Sequence, residues 1–251
     1  KIAGELKNNW TAFRKALKNL ESVLKGMKIE VSRFSSSWNV LLPVLYYIYY
    51  NPESYADNTE AIRAYLMRAI LFTYFQSGTT SKLQQMKSNI NSYDYEITVE
   101  MLDQITDLRV TDGKIEDILN AEKGSRVAGD ALYYLCLDWT NKAFKYEQDH
   151  LHPYDRFDGN KPVSISMEDW RRWRGNRNRL PNLQLLEGRS NGSKSTMPLI
   201  DYYNDMNTEQ QEEFRRQAMI PEGVPLGIEH FEEFYSKRKN ILAKRIKDLL
   251  G

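Results

Sequence analysis

Along the first half of the chain, apolar residues return every three or four positions, the spacing that lays them on one face of an α-helix. Trp10, Phe13, Leu17, Leu20, Leu24 and Met27 make the first such stripe, and Gly26 marks its end. Ser35, Ser36 and Ser37 offer side-chain oxygens to cap a second helix that runs to Tyr50. Asn51-Pro52 stops it, because the residue before a proline is pushed out of helical geometry. A third helix starts at Thr59, carries Ile62, Leu66, Ile70 and Phe75 on one side, and closes at Gly78. Shorter helical patterns follow over residues 81–90, 98–108, 114–120 and 126–137, and no alternating strand pattern competes with them. This half reads as a helical scaffold or partner-contact domain, with its Tyr and Leu residues as core.

The pattern changes after Trp139. Residues 142–148 alternate as a short strand, and then Pro153, Gly159, Pro162, Gly175, Pro181, Gly188 and Gly192 punctuate a loop-rich stretch of the kind that carries sites. A second strand pattern beginning at Leu180, a turn with two glycines and a polar lead into another helix complete a ββα unit. Residues 230–250 form a closing amphipathic helix, with Phe231, Phe234, Ile241, Leu242, Ile246 and Leu249 on one stripe and Lys and Arg opposite. The expectation is a mainly α chain with a small α+β part, divided into residues 1–139 and 140–251.

Composition narrows the class. With 41% hydrophobic and 27% charged residues among 251, the chain can bury a sizeable core and is not a disordered segment. The longest apolar stretch, residues 40–50, is broken by Pro43 and is shorter than the ~20 residues a bilayer requires, so neither membrane segment nor signal peptide is expected. A single cysteine, Cys136, cannot form an internal disulfide and fits a buried thiol in a reducing, cytoplasmic setting. The chain opens at Lys1 and runs straight into helical pattern, which reads as a piece of a longer protein.

A net charge of +1 gives no overall attraction to nucleic acid, so such a function needs a local patch. One lies between residues 161 and 194. Its eight basic residues (Lys161, Arg171, Arg172, Arg174, Arg177, Arg179, Arg189, Lys194) face three acidic ones (Glu168, Asp169, Glu187), with Trp170 and Trp173 interleaved. The bland reading of such a run is a solvated loop.

Two of the three histidines stand together in Asp149-His150-Leu151-His152-Pro153, directly after the first strand pattern. That run, followed by the Leu180-Pro-Asn-Leu-Gln-Leu-Leu segment and then Asn191 and Lys194, resembles the HNH-type nuclease domain at the C-terminus of GmrSD-type, modification-dependent restriction endonucleases. The closing helix and the helical segments upstream are similar to that family as well, so the resemblance covers nearly the whole chain. Two positions depart from its pattern: Pro181 replaces a usual glycine, and His152 fills a place more often apolar.

The resemblance implies a helical domain followed by a ββα-metal (His-Me finger) nuclease that cuts phage DNA. It also implies an N-terminal nucleotide-hydrolysing sensor, which these residues lack. In this reading His150 is the general base, with Asn182 and Lys194 completing the catalytic set, and Asp149 and Asn191 bind Mg²⁺ or Mn²⁺. Arg171, Arg172, Arg174, Arg177, Arg179 and Arg189 contact DNA, and His152 has either a structural role or a phosphate contact. Physical chemistry agrees with these roles, since imidazole titrates near neutrality and a carboxylate with an amide oxygen offers hard ligands to a divalent cation. Adjacent strand residues face opposite ways, so Asp149 and His150 must sit where the strand ends or bulges. The alternative is a DNA- or protein-binding module that keeps the fold without cutting.

Two other sites are rejected. Residues 188–195 differ by one position from a phosphate-binding loop, but Ser193 stands where that loop requires glycine. A lone cysteine excludes the zinc-braced variety of this nuclease.

Overall fold

The computed structural model describes residues 9–29, 38–141, 144–188, 194 and 196–251. Among these residues the protein is mainly helical, with one small antiparallel sheet of two strands. It divides into two compact units, Lys1–Thr111 with Leu249–Gly251, and Asp112–Asp248.

The first unit contains α1 (Trp10–Gly26), α2 (Leu41–Tyr50), α3 (Thr59–Leu71), α4 (Thr79–Ser92) and α5 (Val99–Gln104). Helix α1 buries Ala16, Leu20, Val23 and Leu24. Its stripe is only partly covered, for Trp10 and Leu17 are exposed. The expected serine cap of α2 lies outside the described residues. Helix α3 is buried along almost its whole length, Arg68 included. That guanidinium pairs with Asp103 at 2.7 Å and donates to the carbonyls of Leu250 and Gly251, each at 2.8 Å. It therefore satisfies carbonyls at the end of the chain that have no helical partner. Thr98 caps α5, its hydroxyl accepting from the Met101 amide at 3.0 Å.

The second unit holds α6 (Asp112–Leu119), α7 (Arg126–Leu135), β1 (Tyr146–His150), α8 (Met167–Asn176), β2 (Leu183–Glu187), α9 (Leu199–Asn204), α10 (Thr208–Gln217) and all but the last two residues of α11 (Phe231–Leu250). Residues 112–139, expected with the helical half, pack here instead. The reason lies in the backbone: Leu180 donates to Ala121 at 2.9 Å, Lys123 donates to Asn178 at 2.9 Å, and Glu122 bridges Arg179.

A two-stranded hairpin is marginal alone and needs a surface to rest on. One is supplied by α7, against which β2 packs, while Leu151, directly after β1, enters a core with Phe157, Trp170, Trp173, Leu199, Phe231 and Phe234. The two tryptophans interleaved with the arginines thus belong to the core, Trp170 stacking on Phe157 with ring centroids 5.7 Å apart. No described helix is long and apolar enough to cross a membrane.

Candidate active site

Strand β1 runs two residues further than its sequence pattern suggests, and Asp149 and His150 are its last members. In the antiparallel register Asp149 stands opposite Gln184 and His150 opposite Leu183. Strand alternation separates their side chains, which take different partners.

Asp149 is buried, and its Oδ2 is engaged twice. Lys194 Nζ lies 2.8 Å away and Gln184 Nε2 donates to it at 3.0 Å. Lys194 is itself buried and also donates to the His150 carbonyl. Burial pulls the Lys194 pKa down, while the Asp149 charge and hydrogen bond oppose the shift. Asp149, Lys194 and the His150 backbone thus form one hydrogen-bonded group.

His150 Nε2 sits 3.0 Å from Asn178 Oδ1, and the Tyr154 ring lies 5.6 Å from its own. Burial lowers its pKa, and the hydrogen bond to Asn178 opposes that. The nearby Lys123 ammonium, on an exposed turn, disfavours protonation of both His150 and Lys194.

Asn182 is fully enclosed and ties the start of β2 to the residues following β1. Its Oδ1 accepts from the His152 amide at 3.0 Å, and its Nδ2 donates to the carbonyls of His152 and Arg177 at 2.9 and 2.7 Å. The Asn182 carbonyl accepts from Leu151 at 2.8 Å, extending the hairpin pairing by one step. Asn182 lies behind the site and holds its frame.

The turn around Asn182 is fastened from the other side by Arg238 of α11. This buried guanidinium donates to the carbonyls of Leu180, Pro181, Leu183 and Ala218 at 2.7–3.2 Å. Burial pushes its pKa down to about 9, which still leaves it charged near neutrality.

His152 is a core residue, its ring edge-on to Phe231 and Phe234 at 5.4 and 4.7 Å. Buried in this way, it cannot contact DNA without leaving the core. His230 is exposed, at the start of α11. Asn191 and Arg189 lie outside the described residues.

The basic patch carries less uncompensated charge than its sequence implies. Arg172 pairs with Asp169 at 2.7 Å and Glu232 at 3.1 Å, while Arg174 and Arg177 share Asp158 at 3.0 and 2.6 Å. Asp158 and Glu232 both lie outside the 161–194 window. Arg177 also stacks on Tyr154, its guanidinium 3.6 Å from the ring centroid, and Arg179 donates to Asn120 at 2.9 Å. Arg171 is exposed and has no ion pair among the described residues.

Among the described residues, no three His, Cys, Asp or Glu side chains gather to hold a metal. Mg²⁺ needs fewer, because it keeps several waters and often takes one or two carboxylates together with substrate phosphate. Both protein partners of Asp149 meet Oδ2, which leaves Oδ1 without one among the described residues. One carboxylate oxygen is compatible with such a site.

Sequence reading missed Gln184, Asn178, Glu122 and Lys123. Gln184 had a signal, being a polar residue inside an apolar strand. The other three had none, since it is the pairing of residues 121–123 with 178–180 that brings them to His150. No family model matches the chain, and no curated protein matches it.

Proposed function

We propose that the chain is a metal-dependent DNA endonuclease with an HNH-type ββα-metal site, acting as the effector part of a restriction protein that defends against phage DNA. One observation carries this reading: the end of a two-stranded hairpin gathers Asp149, His150 and Lys194, with Asn182 bracing the turn behind them. Polar residues buried this densely in a small unit point to a site.

In this reading His150 takes a proton from the attacking water. The new oxygen bonds to phosphorus, the bond to the 3′ oxygen breaks, and that oxygen collects a proton from solvent, giving 5′-phosphate and 3′-hydroxyl ends. A divalent cation, when bound, offsets charge growing on the phosphate and the leaving oxygen. Asp149 and Asn191 would hold it. Lys123 and Arg171, exposed and without an ion pair among the described residues, are cations available to phosphates. Resemblance to the GmrSD type further suggests a nucleotide-hydrolysing sensor as partner.

The compensated arginines favour a second reading, a DNA- or protein-binding module that keeps the fold without cutting. Incubating the protein with supercoiled plasmid and Mg²⁺, with and without EDTA, separates the two. Chelator-sensitive nicking supports the nuclease, whereas binding without nicking in Mg²⁺ and in Mn²⁺ supports the silent module.

A further inference from the structure

We infer that Asn178, oriented by Glu122, is a positioning residue that decides which nitrogen of His150 carries the hydrogen. The geometry stands by itself, and only its catalytic consequence rests on the nuclease reading.

His150 Nε2 lies 3.0 Å from Asn178 Oδ1, and Asn178 Nδ2 donates to Glu122 Oε2 at 3.3 Å. An ionised carboxylate can only accept, so the end of the Asn178 amide that faces Glu122 must be its NH₂. The opposite end is then a carbonyl oxygen, which also only accepts. It follows that Nε2 of His150 is the protonated nitrogen and that Nδ1 keeps its lone pair. In a neutral imidazole the lone-pair nitrogen is the one able to take a proton from water.

Backbone pairing holds the arrangement in place. Residues 121–123 run beside 178–180 as a short antiparallel pair, with Lys123 donating to the Asn178 carbonyl at 2.9 Å and Leu180 to that of Ala121 at 2.9 Å. Gly124 follows with φ of 85°, in the left-handed region that glycine tolerates best, and its amide donates to Gln148 Oε1 at 2.8 Å. The same turn is thereby fastened to β1 two residues before His150. A segment preceding the nuclease motif by almost thirty residues orients its base.

The test uses the full chain labelled with ¹⁵N-histidine near neutral pH. Long-range ¹H–¹⁵N spectra separate protonated from bare ring nitrogens, and His150→Gln identifies the His150 signals among the three histidines. The wild type should show His150 as the Nε2–H tautomer alone. Asn178→Ala should give a mixture of tautomers and lower kcat for plasmid nicking by about 10- to 100-fold, with KM changed by less than about twofold. Asn178→Asp keeps an acceptor toward His150 and should restore the single tautomer. Glu122→Ala frees the amide to turn round and should move His150 toward Nδ1–H.

A wild-type His150 protonated on Nδ1 would overturn the inference, as would an Asn178→Ala spectrum identical to wild type. A tautomer shift with unchanged kcat would overturn the catalytic consequence. Should the wild type fail to nick plasmid at all, the nuclease reading falls while the spectra still decide the positioning role.

Discussion

His152 makes the second unit labile to acid, and leucine in its place should remove that lability. The imidazole is enclosed by Phe231 and Phe234, and Nε2 has no hydrogen-bond partner among the described residues. Burial, reinforced by the Lys194 charge, pulls its pKa from 6.5 to about 3. Above the upper value the ring is neutral in both the folded and the unfolded chain, and pH has no effect through it. Below it, the unfolded chain binds a proton that the folded chain refuses until about pH 3. Stability is therefore complete above pH 6.5 and is lost progressively as pH falls toward 3.

One pH unit in this window is worth about 1.36 kcal/mol, so lowering the pH to about 5 costs about 2 kcal/mol through this residue alone. For a chain of this size that is a drop in Tm of roughly 4–8 °C. His152→Leu deletes the titrating group and the orphaned nitrogen, and puts an apolar side chain against Phe231 and Phe234. The backbone bonds to Asn182 do not involve the imidazole and should persist. The measurement is urea unfolding of both proteins across the window. Other groups titrate there too, so the quantity that matters is the difference between variant and wild type. It should grow by about 2 kcal/mol in favour of leucine between about pH 7 and about pH 5. A difference that stays constant within about 0.5 kcal/mol would refute the reasoning, because His152 would then have to be solvated or paired in the folded state.

Three further outcomes are expected. His150→Ala should abolish Mg²⁺-dependent nicking while duplex affinity, measured by fluorescence anisotropy, changes by less than about twofold, since affinity comes mainly from phosphate contacts; retained nicking removes the base assignment. Asp149→Ala leaves the Lys194 ammonium buried without its carboxylate and should cost about 3–5 kcal/mol in urea unfolding, and an unchanged midpoint would mean that Lys194 reaches solvent. Arg171→Gln should flatten the log-log salt dependence of duplex binding by about 0.9, whereas Arg174→Gln, already paired with Asp158, should change it little; equal effects would show that the ion pair opens on DNA.

Helical periodicity was the most legible feature of the sequence. Helices α1 and α3 lie where the three-and-four spacing of Leu20, Leu24, Ile62, Leu66 and Ile70 puts them, because burying one face is what stabilises such segments, although α3 ends at Leu71 and not at Gly78. Exposure of Trp10 and Leu17 was not legible, since periodicity names a face but not what covers it. Residues 112–139 look like one more helical stretch, yet their pairing partners lie about sixty residues downstream at 178–180. Around the site, the Asp149-His150 cluster stood out by composition alone. The arginine run misled in proportion to the window chosen: Asp158 and Glu232, which neutralise it, lie just upstream and on α11. Trp170 and Trp173 follow α8 inward while the arginines between them face out, a helical alternation that the charge run obscured.

Asp149, Asn182, Gln184, Lys194 and Arg238 are all buried around one hairpin of five-residue strands. Each loses its hydration on folding and has that loss offset only by partners with good geometry. Replacing a buried ion pair with well-packed apolar residues is often neutral or stabilising, so stability alone gives little reason for Asp149 and Lys194 to meet inside the protein. Asn182 and Arg238 answer a different need. Together they satisfy carbonyls of residues 152, 177, 180, 181 and 183, fixing a turn that has almost no regular structure of its own. A rigid turn is what sets Asp149 opposite Gln184 and sends His150 toward Asn178, on the other side of the strand. The frame therefore explains Asn182 and Arg238 without reference to function, while the Asp149–Lys194 pair, which the frame does not require, is the part of the cluster that argues for chemistry.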